Sequence, residues 1–536
     1  MFNLYKKYYL FLIFSLFLII YSSFSNIGPW DEYHLLYYFK NKLFFPFYDS
    51  NFTYYDTYLL GRFSPITGQE FNIPIFFGLD INYSFFLVSI IILLTFIIYF
   101  YTLGYFYNYF DEKIFALFLL FILSSPAFYL LSSRLLYSED TFTLLIIIFL
   151  CSFLKYISSE NLNSKFFWNI LLIVSTLLTL LYKENSFVII ITFALSYFFF
   201  DYTRRNKNKF IITFIILCSL IYLSILIYIN VAYKSNDLAY VQNLNWNFLF
   251  NSLLTLIRYS IFNDPILFFI LIPVGLVSLK KSKNIFFKSI FISGIMNILF
   301  FISLGLYGPY YLYACYFLVF PLFYEGVSNL LKFSNFKKKI GIFFIICVVL
   351  LSFINSIFYY FESKSLSSTF NSTVKYLAKN IKKKENITKI FVCNYLNDGN
   401  LAHLYILGEH IKYNDIDTDQ FEFYSLINNT RNILNSKLSP FDQNNEYNYN
   451  NSIFQNTFKN SLPQKDDLVL NFYSYSSNEK NNCTYLKVNQ YNKVASYTLS
   501  YTNTLISNLI KVLIYKKEFK KDYFLKKFGY EIFKIK

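Results

Sequence analysis

Residues 83–107 read YSFFLVSIIILLTFIIYFYTLGYFY, a run without one charged side chain. Coiled as an α-helix at about 1.5 Å per residue, a run of this length crosses roughly 30 Å of hydrocarbon. A soluble helix would carry charges along one face, whereas the only polar side chains here are Ser, Thr and Tyr hydroxyls. Comparable runs recur from the N-terminus to about residue 360 and then stop. The composition agrees: the 536 residues are 55% hydrophobic and 15% charged, with mean hydropathy +0.39, on the apolar side of a globular balance. Two physical regimes share one chain.

Working outward, the spans expected are 8–25, 83–107, 114–131, 141–157, 166–182, 186–200, 210–231, 265–279, 286–306, 310–331 and 340–360. That makes a polytopic α-helical membrane protein with about eleven transmembrane helices. Lys6 and Lys7 precede the first run as they would in a signal peptide. The run is long, however, no small-residue cleavage pattern follows it, and many spans do, so an uncleaved first helix is expected.

The net charge of +16 would suit nucleic acid, but the basic residues sit mostly in short loops and in the C-terminal tail. With the N-terminus inside, the inner loops carry Lys113, Lys155, Lys165, Arg204, Arg205, Lys207, Lys209, Lys280, Lys281, Lys283, Lys288, Lys332, Lys337, Lys338 and Lys339. The longer outer loops hold few cations: Lys40, Lys42, Arg62, Arg134, Lys183, Lys234 and Arg258. This asymmetry is the positive-inside pattern, and it predicts a cytoplasmic N-terminus and an extracytoplasmic C-terminal part. Membrane lipid, not nucleic acid, is the expected surroundings. Residues 1–360 form the membrane domain, including a first outer loop at 26–82, and 361–536 form a soluble α/β domain with a basic tail.

In that second part Val374, Leu377 and Ile381 share a helical face, and strands are expected at Lys389–Tyr395, Leu468–Tyr473 and Thr484–Tyr491. Residues 504–536 read as a solvated basic terminus, with attachment to an anionic leaflet as the alternative. Cys151, Cys218, Cys315 and Cys347 lie in apolar spans, where a thiol acts as a small hydrophobe. Cys393 and Cys483 lie in the polar part, and whether they pair depends on the compartment. The aromatic content of 23% follows what an AT-rich coding bias would give and says little about sugar stacking.

Function has to come from polar residues at span ends, because loops placed by a rigid scaffold carry most sites. Trp30, Asp31, Glu32, Tyr33 and His34 follow the first span directly. Two carboxylates there suit a general base or a cation ligand; solvated outer-face charges are the plainer reading. Gly61, Arg62, Phe63, Ser64 and Pro65 follow, then Gly68, Gln69 and Glu70. A guanidinium forks onto phosphate with two parallel hydrogen bonds, which makes Arg62, and after it Arg134 and Arg258, phosphate candidates. Glu139 and Asp140 head a span, where they would also suit the helix dipole. Lys183 and Glu184 sit between two spans, where a local ion pair is the plainer reading. No Walker loop, dinucleotide fingerprint, zinc spacing or Ser-His-Asp order is present, and His34, His403 and His410 are too scattered to form a metal site.

An uncleaved first helix, an Asp-Glu pair opening a long outer loop, a many-helix bundle and an outer C-terminal domain resemble the GT-C superfamily of glycosyltransferases. The branch of protein O-mannosyltransferases and the lipid A aminoarabinose transferase is the most similar. The resemblance implies a donor sugar on a polyprenyl phosphate and a catalytic Asp31 or Glu32. It further implies Glu139 and Asp140 in the same cavity, with Lys183, beside Glu184, toward phosphate; Arg62, then Arg134 and Arg258, are added as substrate-binding candidates on their own chemistry, together with His34 beside the acidic pair. The Gly-Arg-Phe-Ser-Pro run departs from the Lys-Pro-Pro pattern of the aminoarabinose branch, and Tyr307–Tyr313 lacks that family's Arg-Tyr. The sequence assigns no cofactor, and a divalent cation between phosphate and Asp31 or Glu139 is left open. The implied reaction is sugar transfer to a hydroxyl of a lipid-linked glycan, lipid or protein at the outer face of a bacterial cytoplasmic membrane. The rivals are a flippase for lipid-linked glycans, which calls for ionisable residues at mid-membrane and repeated halves, and a polysaccharide polymerase or ligase.

Overall fold

Backbone amides in hydrocarbon have no water to bond, so an apolar run must satisfy them internally by coiling. The computed structural model is accordingly mostly helical, with one small sheet. It describes residues 2–23, 25, 27–28, 33–44, 64–107, 112–135, 138–201, 205–232, 250–254, 264–304, 306, 308–330, 335–384, 386–393, 398–425, 463–473, 491–502 and 525–535. The chain divides into two compact units. One is Met1–Phe24, Phe45–Ile73 and Tyr83–Tyr360; the other is Ser25–Phe44, Pro74–Asn82 and Phe361–Lys536.

Among the described residues of the chain, six helices are long and apolar enough to cross a membrane, or seven if one bent pair counts as a span. This is the build of a multi-pass membrane protein. Helices run Phe2–Ser23, Ser84–Tyr107, Glu139–Ser158, Leu162–Tyr182, Ser186–Phe200, Arg205–Ala232, Ile285–Ser303 and Tyr313–Leu330. Each covers a run expected from the sequence.

Three expectations need correction. The run at 114–131 is two helices, Glu112–Leu123 and Pro126–Ser133, bent by 69°. Pro126 cannot donate an amide to the preceding turn, and Ser125 caps the second helix by accepting from Ala127 N at 3.2 Å. The carbonyl of Ser124 at this break accepts from both Ser352 and Ser356, each at 2.7 Å. The run at 265–279 is helical from Pro265 and contains a π-helical turn, Leu267–Leu271, before the helix Ile272–Lys281. The last span and the helical face expected at Val374, Leu377 and Ile381 belong to one continuous helix, Asn335–Ile381.

The centre of the first unit is aromatic. Phe317 meets Phe96 and Phe118 edge to face, with centroids 5.4 and 5.0 Å apart, a geometry worth roughly 1 kcal/mol per pair beyond area burial; Phe96 and Phe118 meet tilted at 5.5 Å. Tyr99 joins them and donates to the carbonyl of Phe317 at 2.8 Å. A second polar contact is also buried. Asp264 is fully buried and accepts from the Tyr316 hydroxyl, from Ser125 Oγ at 3.5 Å and from Leu267 N at 3.4 Å. Burial pushes its carboxyl up to about 7, the three donors opposing that shift.

The second unit holds a five-stranded sheet in the order β2-β1-β3-β5-β4. β1 (Thr388–Val392) pairs in parallel with β2 (Phe421–Ser425) and with β3 (Leu468–Tyr473). β5 (Leu525–Ile535) runs antiparallel between β3 and β4 (Tyr491–Thr502). The expected strands at 389 and 468 are present, and β2 was not foreseen. The strand expected at Thr484–Tyr491 lies outside the described residues except for Tyr491, which opens β4. Residues 525–535 correct the reading of a solvated terminus: Phe528, Tyr530 and Ile532 are buried, so this stretch is an inner strand.

The helix Asp398–Tyr413 links β1 to β2 and buries Leu404, Leu407 and Ile411. His410 lies buried among them with the Phe370 ring edge-on at 4.8 Å, and burial lowers its imidazole to about 3. It is a neutral core histidine. Cys393, just past β1, is buried and disulfide-bonded, while Cys151, Cys218, Cys315 and Cys347 are free. Cys483 lies outside the described residues.

Candidate functional site

Side-chain contacts bring three junctions of the first unit together: the entry to Glu139–Ser158, the exit of Leu162–Tyr182, and the turn Pro309–Leu312 before Tyr313–Leu330.

Lys183 follows the Leu162–Tyr182 helix in an extended conformation, and its side chain reaches across to the start of the preceding helix, Glu139–Ser158. Its ammonium pairs with Glu139 and reaches Ser138 Oγ at 3.3 Å, and it lies 5.6 Å from the centre of the Tyr311 ring. The side chains are only 11% and 4% exposed, so the pair is nearly dry. Lys183 and Glu139 are thus brought together, and the expected local pairing of Lys183 with Glu184 is replaced by this longer-range one. Glu184 is half-exposed.

Asp140 is buried one position further along, where it meets Glu139 and Glu70 as like charges. Glu70 was not singled out from the sequence. Gly68 turns the chain at φ 84°, a left-handed conformation that suits glycine, and the 3-10 turn Gln69–Phe71 follows. Glu70 Oε1 then accepts from the Tyr182 hydroxyl and from Thr141 Oγ1 at 3.2 Å. Thr67 donates to the carbonyl of Tyr182, which fastens the same turn a second time. Burial raises the Glu70 carboxyl, and the donors from Tyr182, Thr141 and the turn's own amides lower it. The only cue in the sequence was the glycine two places earlier.

Next to these carboxyls, Asn185 donates to Asn297 at 2.9 Å, and Asn297 in turn reaches Cys315 at 3.4 Å. Asn185 Oδ1, Glu70 Oε2 and the Tyr313 hydroxyl are buried without a partner in the structure. Tyr313 feels the charge of Asp140. A partner that supplies hydrogen-bond donors would satisfy all three. Arg134 caps the Pro126–Ser133 helix and is half-buried.

Asp31, Glu32, Arg62, Arg258 and Tyr307 lie outside the described residues. His34 belongs to the short helix Tyr33–Asn41. Among the described residues, no three His, Cys, Asp or Glu side chains are placed to hold a metal ion.

No family model matches this sequence. No curated protein matches it either. Two solved structures are similar to the chain, both at 10% identity over 91% of its length: ArnT from Cupriavidus metallidurans bound to undecaprenyl phosphate, with a TM-score of 0.49 over 96% of that chain, and ArnT from the same organism in the apo state, with a TM-score of 0.46 over 95%.

Proposed function

We propose that the chain is an inverting GT-C-type glycosyltransferase that moves a sugar from a polyprenyl-phosphate donor to a hydroxyl of a lipid-linked glycan, lipid or protein. The observation that carries this reading is the nearly dry Lys183–Glu139 pair, set beside Asp140 at the start of an apolar helix. A buried ammonium that shares its charge with one carboxylate has donors to spare for phosphate. Its place at a span end lets a charged head group meet protein while a prenyl tail stays in lipid.

In the reaction Asp31, or Glu32 beside it, takes the proton of the acceptor hydroxyl, and the oxygen attacks the anomeric carbon opposite the phosphate. The bond from that carbon to the phosphate oxygen breaks with its electron pair, and polyprenyl phosphate leaves with Arg62 and Lys183 holding the charge. Attack from the opposite side inverts the anomeric centre. His34, Arg134, Arg258, Glu184 and Asp140 line the substrates in this reading; a divalent cation, were one bound, would be held by Asp31 or Glu139 and would supply neutralisation of the phosphate charge. The site belongs at the outer face of a bacterial cytoplasmic membrane. The lysine asymmetry supports that side, and so does the disulfide at Cys393, since such bonds persist in oxidising compartments.

The test is transfer by the purified full chain from polyprenyl-phosphate sugar to a lipid-linked acceptor. Asp31→Asn is expected to lower the rate by about 10²–10⁴-fold, the usual worth of a general base. Near wild-type transfer by that variant would remove Asp31 as the base. Movement of lipid-linked glycan between leaflets without a new glycosidic bond would replace the transferase with a flippase.

A further inference from the structure

The helix Tyr33–Asn41 of the second unit buries Leu35, Leu36 and Phe39, and after it Lys42 turns the chain at φ 52°, beyond which Leu43 and Phe44 are exposed. The Phe44 ring stacks on Phe76 with centroids 6.4 Å apart, and Phe76 meets Phe77 edge to face at 5.3 Å. Phe76 and Phe77 are 70% and 67% exposed, and Leu79, two places on, is open as well. These side chains stand on a fastened turn. Gly78 donates its amide to the carbonyl of Ile75 and Leu79 to that of Pro74, each at 2.9 Å, while Ile75 and Ile81 are buried. Asp80 accepts from the Asn82 amide at 2.9 Å and from the Tyr413 hydroxyl at 3.1 Å. The carboxylate of this stretch is thus held by donors, and its rings are held exposed. An ordered apolar cluster of this kind marks a surface that meets something other than water.

We infer that Leu43, Phe44, Phe76, Phe77 and Leu79 form a membrane anchor of the second unit, seated at the boundary of head groups and acyl chains in the leaflet where the helix Ile81–Tyr105 enters lipid. The path of the chain names the occupant. That helix is long and apolar enough to cross a membrane, and Ile90, Leu94, Ile97 and Tyr101 are exposed along one side of it as a lipid-facing stripe. Only four positions separate Phe77 from Ile81, at most about 14 Å even when fully extended, and the turn closed by Gly78 and Leu79 shortens that reach. The head-group layer is roughly 5–8 Å deep on each side of the hydrocarbon, so lipid is within reach of the rings. Aromatic side chains favour this depth. Lys42, exposed next to Leu43, suits the lipid phosphates. Which side of the membrane this leaflet faces rests on the reading above; the anchoring itself does not.

The experiment is fluorescence of the full chain carrying Phe76→Trp or Phe77→Trp in phosphatidylcholine vesicles, read as the emission added to that of the 3 native tryptophans. Phosphatidylcholine brominated near the head of its acyl chains should remove roughly half or more of the added emission, lipid brominated near the chain ends less, and aqueous iodide little. Quenching by iodide in place of brominated lipid overturns the inference, because the ring then stands in water. Absence of quenching by either also overturns it, because the ring is then covered by protein, a second copy included. Stronger quenching from the chain ends overturns the interfacial seat. Two positions are used so that one decides if the other variant does not fold. Sugar transfer is not read in this measurement, so the anchor and the proposed function can fail separately.

Discussion

Lys183 pairs with Glu139, forty-four positions upstream on a different helix, and not with its neighbour Glu184. The pair ties the exit of one apolar helix to the entry of another. Removing only the ammonium leaves a buried carboxylate uncompensated, which costs about 3–5 kcal/mol. Lys183→Met should therefore lower the unfolding temperature sharply, while Lys183→Met with Glu139→Gln should recover most of the loss. Equal losses in the single and double variants would mean that the two side chains do not interact.

Asp264 gives a dependence on pH with a definite sign. Its carboxyl sits at about 7 in the folded chain against an ordinary 3.8, so the folded state holds the proton longer. The stabilisation is complete below 3.8 and is lost as pH rises toward 7, by about 1.4 kcal/mol per pH unit at full linkage. Thermal unfolding across that window should show the slope in the wild type and a smaller one in Asp264→Asn. Identical slopes would refute the assignment.

His410 works in the opposite direction. Buried against Phe370, it is lowered to about 3 from 6.5. Below pH 6.5 the unfolded chain gains a proton that the folded core refuses, so stability falls as the solution is acidified toward pH 3. His410→Leu should flatten this loss between neutral and mildly acidic pH, read by the unfolding of the second unit. A slope unchanged by the substitution would show that another group is responsible.

Gly529 takes φ 121° in β5, and a Cβ there would meet the carbonyl oxygen of Tyr497 at 2.0 Å. The oxygen belongs to backbone and cannot swing aside. Gly529→Ala should cost at least about 2 kcal/mol through strain and displaced pairing of β4 with β5. Wild-type stability in that variant would mean that the strand pairs differently.

The apolar runs made most of the bundle legible, because length and the absence of charge suffice to call for a helix in lipid. What escaped was whatever tertiary context decides. Pro126 breaks a run that hydropathy alone reads as continuous, and Ser125 and Ser124 turn the break into a built feature. β5 escaped because Lys526, Lys527 and Lys534 make its sequence look solvated, although alternate residues face a core. In the site, Glu139, Asp140 and Lys183 were visible as charges next to spans. Glu70 was not, since its role comes from a glycine-led turn that meets Tyr182 from far along the chain.

Ser352 and Ser356 stand one helical turn apart and serve the same Ser124 carbonyl. Either hydroxyl alone can occupy that acceptor, so the break between Leu123 and Pro126 has a spare. Replacement of one serine by alanine leaves the bend supported, and only the paired replacement exposes its orphaned oxygen to hydrocarbon. The bend is thereby buffered against single substitutions and can persist while the sequence around it drifts.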